Sequence, residues 1–208
     1  MLALPLACLL LLSSQPSYCA PLENNSVEVT EDVAQPLVDT PTALFDKAVL
    51  QDLLKNPLCT AIRFYNALAT SDATSYTVIA IGIDKDGKEL NGGKAYRMYD
   101  KLESGKIVAK NLTASKASAA CIRLTASGKT CSTASMEKPD IEALLAMACD
   151  GIQITEEAVG KDTGFRLVTI SIIDDKVVIA GTAPDNTKVC GDPCPSVCGP
   201  MENYLKTK

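Results

Sequence analysis

The chain has no histidine and no tryptophan, and aromatic residues make up only 4% of it. Without histidine, every Ser-His and Cys-His nucleophile arrangement is excluded, as are the histidine-containing zinc sets. With so few aromatic rings the core must rest on Ile, Leu, Val and Ala. No Cys-x-x-Cys occurs, which removes the common redox motif. No apolar run reaches the roughly 20 residues that a membrane-spanning helix needs. A basic face is also missing. There are 20 Lys plus Arg against 25 Asp plus Glu, and five of those acids lie between Glu23 and Asp39 with no base among them. The rest of the chain is charge-balanced, which argues against a nucleic-acid partner.

Before Glu23 there is no charge at all. A Leu-rich run from Leu2 to Leu12 gives way to small and polar residues. Although it lacks a basic n-region, this pattern predicts a secretory signal peptide over residues 1–19, cut after Cys19, with small residues at Ser17 and Cys19. A lipid anchor on Cys8 or Cys19 is the variant of that reading. The acidic stretch within 20–41 reads as a solvated spacer. Export places the protein outside the cell or at its surface, which in a bacterium means periplasmic or outer-membrane-anchored. Asn24-Asn25-Ser26 and Asn111-Leu112-Thr113 are glycosylation sequons that matter only in a eukaryote.

Two stretches about 90 residues apart resemble one another. Leu54 to Ile83 lines up with Leu144 to Ile172, so that Cys59 falls on Cys149, Ile62 on Ile152, Phe64 on Ile154, Ile81 on Ile170 and Ile83 on Ile172. Each copy reads as helix, cysteine, strand, turn, strand. The first helix is expected to open at Thr40-Pro41 and to run to Pro57, with Phe45, Val49 and Leu53 on one stripe. The second begins at Pro139. The expected fold is α+β: a tandem repeat of helix plus antiparallel hairpin, sharing one antiparallel sheet with the helices on one face. The first repeat spans 42–112 and the second 137–189. Residues 113–136, rich in Ala, Ser and Thr, read as a linker carrying a short cysteine hairpin, and 190–208 as a Cys-rich tail. Ile79, Ile81, Ile83, Val168, Ile170 and Ile172 are expected together on the helix-covered face.

Seven cysteines follow the signal: Cys59, Cys121, Cys131, Cys149, Cys190, Cys194 and Cys198. In an exported protein these are disulfide candidates. Seven is odd, so one thiol is left over or bonds to another chain, which opens a route to an oligomer. Cys121 with Cys131 is the best single pair, across the expected hairpin. Cys59 and Cys149 can bridge the repeats or bond elsewhere. The tail spacing, Cys190-x3-Cys194-x3-Cys198, does not match a structural zinc set, so neither metal nor cofactor is expected.

Chemistry is sparse. Ser135-x-x-Lys138 has the spacing of Ser-Lys acyl enzymes, yet Ser135 also stands where a helix N-cap belongs. Ser127-Gly128-Lys129-Thr130 resembles the end of a phosphate loop, but the upstream glycine is replaced by Arg123. Asp84-x-Asp86-Gly87-x-Glu89 looks like the start of a calcium loop, but loop position 12 is Ala95 rather than Glu. A hairpin turn explains it better.

The runs Ile62-Arg63-Phe64-Tyr65 and VIAIGIDKDG (from Val78), with the terminal PCPSVC, resemble small exported proteins of Bacteroidota-type bacteria that have no assigned activity. That resemblance implies no catalytic residue. The leading reading is an exported, disulfide-stabilised, non-catalytic binding or structural protein with a protein or surface ligand. One alternative is a secreted hydrolase using carboxylates or Ser135 with Lys138. Another is a thiol protein using the unpaired cysteine.

Overall fold

Thr42–Asp46 form strand β1, where the sequence pattern predicted a helix already under way. The stretch is apolar on both sides. Ala43 and Phe45 are buried in one core and Leu44 in another. A strand between two covered faces uses that pattern, whereas one helical stripe does not. The helix starts only where a cap allows it. Asp46 accepts from the Ala48 amide at 2.7 Å, and α1 runs Lys47–Leu54. The computed structural model describes residues 42–71, 76–159 and 162–190. The expected signal peptide, the spacer, Cys194 and Cys198 lie outside the described residues.

The chain continues as β2 (Ala61–Ala67), β3 (Thr77–Ile83), β4 (Tyr96–Glu103), β5 (Lys106–Leu112), α2 (Ala114–Ala126), β6 (Thr133–Glu137), α3 (Lys138–Ala146), β7 (Gly151–Val159), β8 (Asp162–Ile173), β9 (Lys176–Ile179) and β10 (Thr187–Cys190). These strands make two five-stranded antiparallel sheets. One has the order β1-β7-β8-β10 with β9 also on β8, and the other the order β5-β4-β3-β2-β6. The expected α+β tandem of helix-plus-hairpin units on one shared sheet is therefore incorrect. Strand accounts for 48% and helix for 21% of the described residues, so this part of the chain is mostly β. The helices do not share one face, because both faces of β2 and β3 are apolar and both are covered.

One face of the second sheet meets the first sheet. Ile62, Phe64, Val78 and Ala80 pack with Ile152, Ile154, Phe165 and Leu167, and the apolar sides of α1 and α3 close the same core. Phe64 and Phe165 meet edge to face, with centroids 6.2 Å apart. The other face carries Tyr65, Ile79, Ile81, Tyr96 and Met98, and α2 covers it with Ala117, Ala120, Cys121 and Leu124. Residues 113–136 are thus not a linker with a cysteine hairpin. The spacing of those four residues is an apolar helical stripe, built from small side chains that let α2 lie close on the sheet.

Ile79, Ile81, Ile83 and Ile170 are buried as expected, while Val168 and Ile172 are only half-buried. They do not share one helix-covered face. Ile79 and Ile81 lie under α2, but Ile170 and Ile172 join Leu44 and Ile107 in a third cluster. A register shift between Tyr99 and Lys101 accompanies the reach of the β4–β5 hairpin toward it.

The order β1-α1-β2-β3 recurs as β6-α3-β7-β8, with the leading strands exchanged: β1 pairs with β7 and β6 with β2. Hydrogen bonds recur with it. The Lys47 amide donates to Asp150 O at 3.0 Å and the Lys138 amide to Thr60 O at 2.8 Å. The Thr60 amide donates to Ile83 O and the Asp150 amide to Ile170 O, both at 2.9 Å. By these bonds Ile83, rather than Ile81, corresponds to Ile170. At Gly151 an added Cβ would overlap the Phe45 carbonyl, so glycine permits the close β1–β7 approach there.

Candidate functional site

A buried polar constellation is centred on β2, where the run Ala61–Ala67 is buried throughout and yet holds an arginine. Arg63 is 1% exposed. Its Nη1 donates to Glu89 Oε1 at 3.4 Å, its Nη2 to Gly87 O at 3.0 Å and its Nε to Ser135 Oγ at 3.4 Å. Glu89 also accepts from two phenols, Tyr65 through Oε1 and Tyr96 through Oε2, the latter at 2.5 Å. Ion pair and phenols together occupy both carboxylate oxygens.

The loop after β3 delivers Glu89. Asp84 Oδ1 accepts from the amides of Asp86 and Lys88, each at 2.9 Å. Gly87 takes φ 75°, and Glu89 bridges back to Ile83. Of the carboxylates in the apparent calcium loop, Asp84 holds this turn, Glu89 meets Arg63 and Asp86 pairs with Lys85 at 2.8 Å. Among the described residues, no group of three or more Cys, Asp or Glu is placed to hold a metal. Every buried side-chain polar atom among the described residues has at least one partner.

Burial, and after it the charge of Glu89, push the Tyr65 phenol well above its ordinary range, against the pull of Arg63. A phenol normally titrates near pH 10. A folded-state pKa raised above the unfolded value contributes stability that is complete below the unfolded pKa. That stability is lost as pH rises through the folded pKa. The urea midpoint is therefore expected to fall above about pH 10. Tyr65→Phe should flatten that alkaline limb; an unchanged limb would place the phenol in solvent.

Ser135 and Lys138 have different partners. Ser135 accepts from Arg63, while Lys138 Nζ donates to Leu54 O at 2.9 Å, at the end of α1. Lys47 Nζ does the same for Met147 O after α3, at 3.2 Å. Both lysines act as cationic C-terminal caps. No interaction joins Ser135 to Lys138 as a dyad.

Among the described cysteines none is at disulfide-bonding distance from another. The Cys59 thiol donates to Ala61 O at 3.3 Å and the Cys149 thiol to Leu144 O at 3.8 Å. Burial raises both pKa values, so these two thiols are poor nucleophiles. Cys190 donates to Phe165 O at 3.5 Å. Cys121 and Cys131 converge on one acceptor, Asn66 O.

Two surface features remain. An open depression of about 550 Å³ is lined by Asn56, Asn91, Gly92, Lys94 and Arg97 among others; Arg97 is already paired with Asp52 at 3.0 Å. The second is apolar. Ile173, Val177, Val178 and Ile179 are 56%, 38%, 43% and 62% exposed, and all belong to the β8–β9 hairpin. Its turn, Asp174-Asp175, holds both residues at positive φ (50° and 62°), as a tight two-residue hairpin requires. No helix among the described residues is long and apolar enough to cross a membrane.

The sequence reading missed the Arg63–Glu89 cluster. Its one signal was a charged residue inside an apolar strand, and nothing in the spacing named a partner 26 residues away. Scans against protein-family models, curated proteins and solved structures return no match.

Proposed function

We propose that this is an exported, non-catalytic binding protein whose ligand is a short extended segment of another protein, held along the outer edge of β9. The observation that carries the reading is the exposed apolar edge. Scattered surface hydrophobics are ordinary, but a contiguous exposed set marks an interaction site. Here it coincides with a strand whose only ladder partner among the described strands is β8. Proteins usually blunt such an edge with charge, proline or a cover; Lys176 alone does that here, at one end.

Backbone geometry supports the same reading. The Ala180 amide points inward to Thr169 O at 2.9 Å. By the alternation of an antiparallel ladder, the amides of Val177 and Ile179 point outward, ready to pair with an added strand. Size selects the occupant. Four residues span only about 13 Å, far too little edge for the roughly 1,200–2,000 Å² of a stable protein–protein interface. A short linear segment fits that length and a second folded copy does not. The export part of the reading rests on the apolar run at residues 2–12.

The test is selection from a library of displayed linear peptides, with the full chain as bait. Binders with alternating apolar residues are expected. Ile179→Lys and Val177→Pro should each weaken them at least about tenfold, roughly 1.4 kcal/mol, while leaving the thermal midpoint nearly unchanged, since both sites are exposed. Binders indifferent to both substitutions, or concentration-dependent self-association through this edge, would overturn the reading.

A further inference from the structure

The Asn66 backbone departs from the β2–β6 ladder in a way that leaves one carbonyl facing two thiols. The Asn66 amide donates to Ser132 O at 3.2 Å, as the ladder requires. The return bond does not follow: the Ser132 amide donates to the Asn66 side-chain Oδ1 at 2.5 Å. The backbone oxygen of Asn66 instead accepts from Cys131 Sγ at 3.3 Å and Cys121 Sγ at 3.9 Å. Two sulfurs that share one acceptor are near neighbours, and both residues are buried, at 1% and 8% exposed.

Their supports differ in stiffness. Cys121 sits on α2, which is fastened to the strand end by the Leu68 amide on Ala120 O at 3.1 Å and by Arg123 on the carbonyls of Leu68 and Ala69. Cys131 sits in the connection from α2 to β6, which turns at Gly128 with φ 82°. A rigid partner and an adjustable one are what closing an S–S bond from this geometry needs, since disulfides tolerate little strain.

We propose that Cys121 and Cys131 form a disulfide when the protein meets an oxidising thiol–disulfide couple, fastening α2 to the strand β6 that is exchanged into its sheet. The oxidant is a small disulfide, R–S–S–R. One cysteine thiolate attacks it, forming a mixed disulfide and releasing one R–S⁻. The second cysteine thiolate attacks the protein sulfur of that mixed disulfide and releases the other R–S⁻. The two protein thiols are oxidised by two electrons, R–S–S–R is reduced to two R–SH, and the two thiol protons end on the leaving sulfurs. The inference is independent of the binding proposed at β9.

Unreduced peptide mapping of the full chain, refolded in oxidised and reduced glutathione, is the test. The expected product is the Cys121 peptide joined to the Cys131 peptide, lighter by two hydrogens, with Cys59 and Cys149 fully alkylated. Complete alkylation of Cys121 and Cys131, or either one joined to another cysteine, overturns the proposal. Cys131→Ser provides a second reading. After the same oxidation it should show one more titratable thiol in denaturant than wild type, because Cys121 loses its partner. A thiol count lower than wild type by one would contradict the bond.

Discussion

Glu89→Ala is expected to remove about 3–5 kcal/mol of folding stability, the usual cost of deleting one partner of a buried ion pair. Arg63, 1% exposed against the 2% of its partner's side chain, would be left as an uncompensated charge. Tyr65 and Tyr96 would lose the acceptor of their hydroxyls. Glu89→Gln should cost less, because the amide oxygen still accepts from a phenol while only the charge is gone. Replacing both members with apolar residues of similar volume should recover part of the loss, since a buried pair is often no more stable than a well-packed apolar substitute. Urea unfolding of the three variants decides it. A Glu89→Ala loss under about 1 kcal/mol would mean that water reaches Arg63.

Phe64→Ala is expected to cost a further about 3–5 kcal/mol in its own right. Phe64 is fully buried between the sheets, and its edge-to-face partner Phe165 lies on the opposite sheet. A double-mutant cycle between the two should show coupling of about 0.5–1.5 kcal/mol beyond the single losses. Zero coupling would separate the two sheets, because these rings meet only if β2 and β8 face one another across one core.

Alternation located β2, runs rich in Ile and Val located β3, β7, β8 and β9, and β4 and β5 were legible as weaker strands. What the pattern did not show was which face met what. Val78 and Ala80 face the other sheet while Ile79 and Ile81 face a helix. Apolar residues on both sides of β3 were visible, but a sandwich and a single helix-covered sheet look alike at that level. β1 was hidden because Phe45, Val49 and Leu53 also fit a helical stripe, and only pairing with β7 decides for the strand. α2 was hidden because small residues (Ala117, Ser118 and Ala120) make up most of its buried face and carry little periodic signal. The nearness of Cys121 and Cys131 was anticipated through a hairpin. The structure brings them together by another route, a helix followed by a return loop to β6.

The polar cluster and the β9 edge were less accessible. Arg63 meets Glu89 only because a loop folds over the end of β2, and loop paths leave no periodicity. Nothing in the apolar run Val177-Val178-Ile179 marks it as exposed. Its exposure follows from β9 pairing on one side alone, which is a property of sheet order and not of composition.

Residue-resolved amide hydrogen exchange across β9, with and without a selected extended peptide, tests the central claim most directly. In the free protein the Val178 and Ala180 amides, directed at β8, should exchange slowly, and those of Val177 and Ile179 rapidly. Bound peptide should slow Val177 and Ile179 selectively. Protection appearing elsewhere, with these two amides unchanged, would contradict the account.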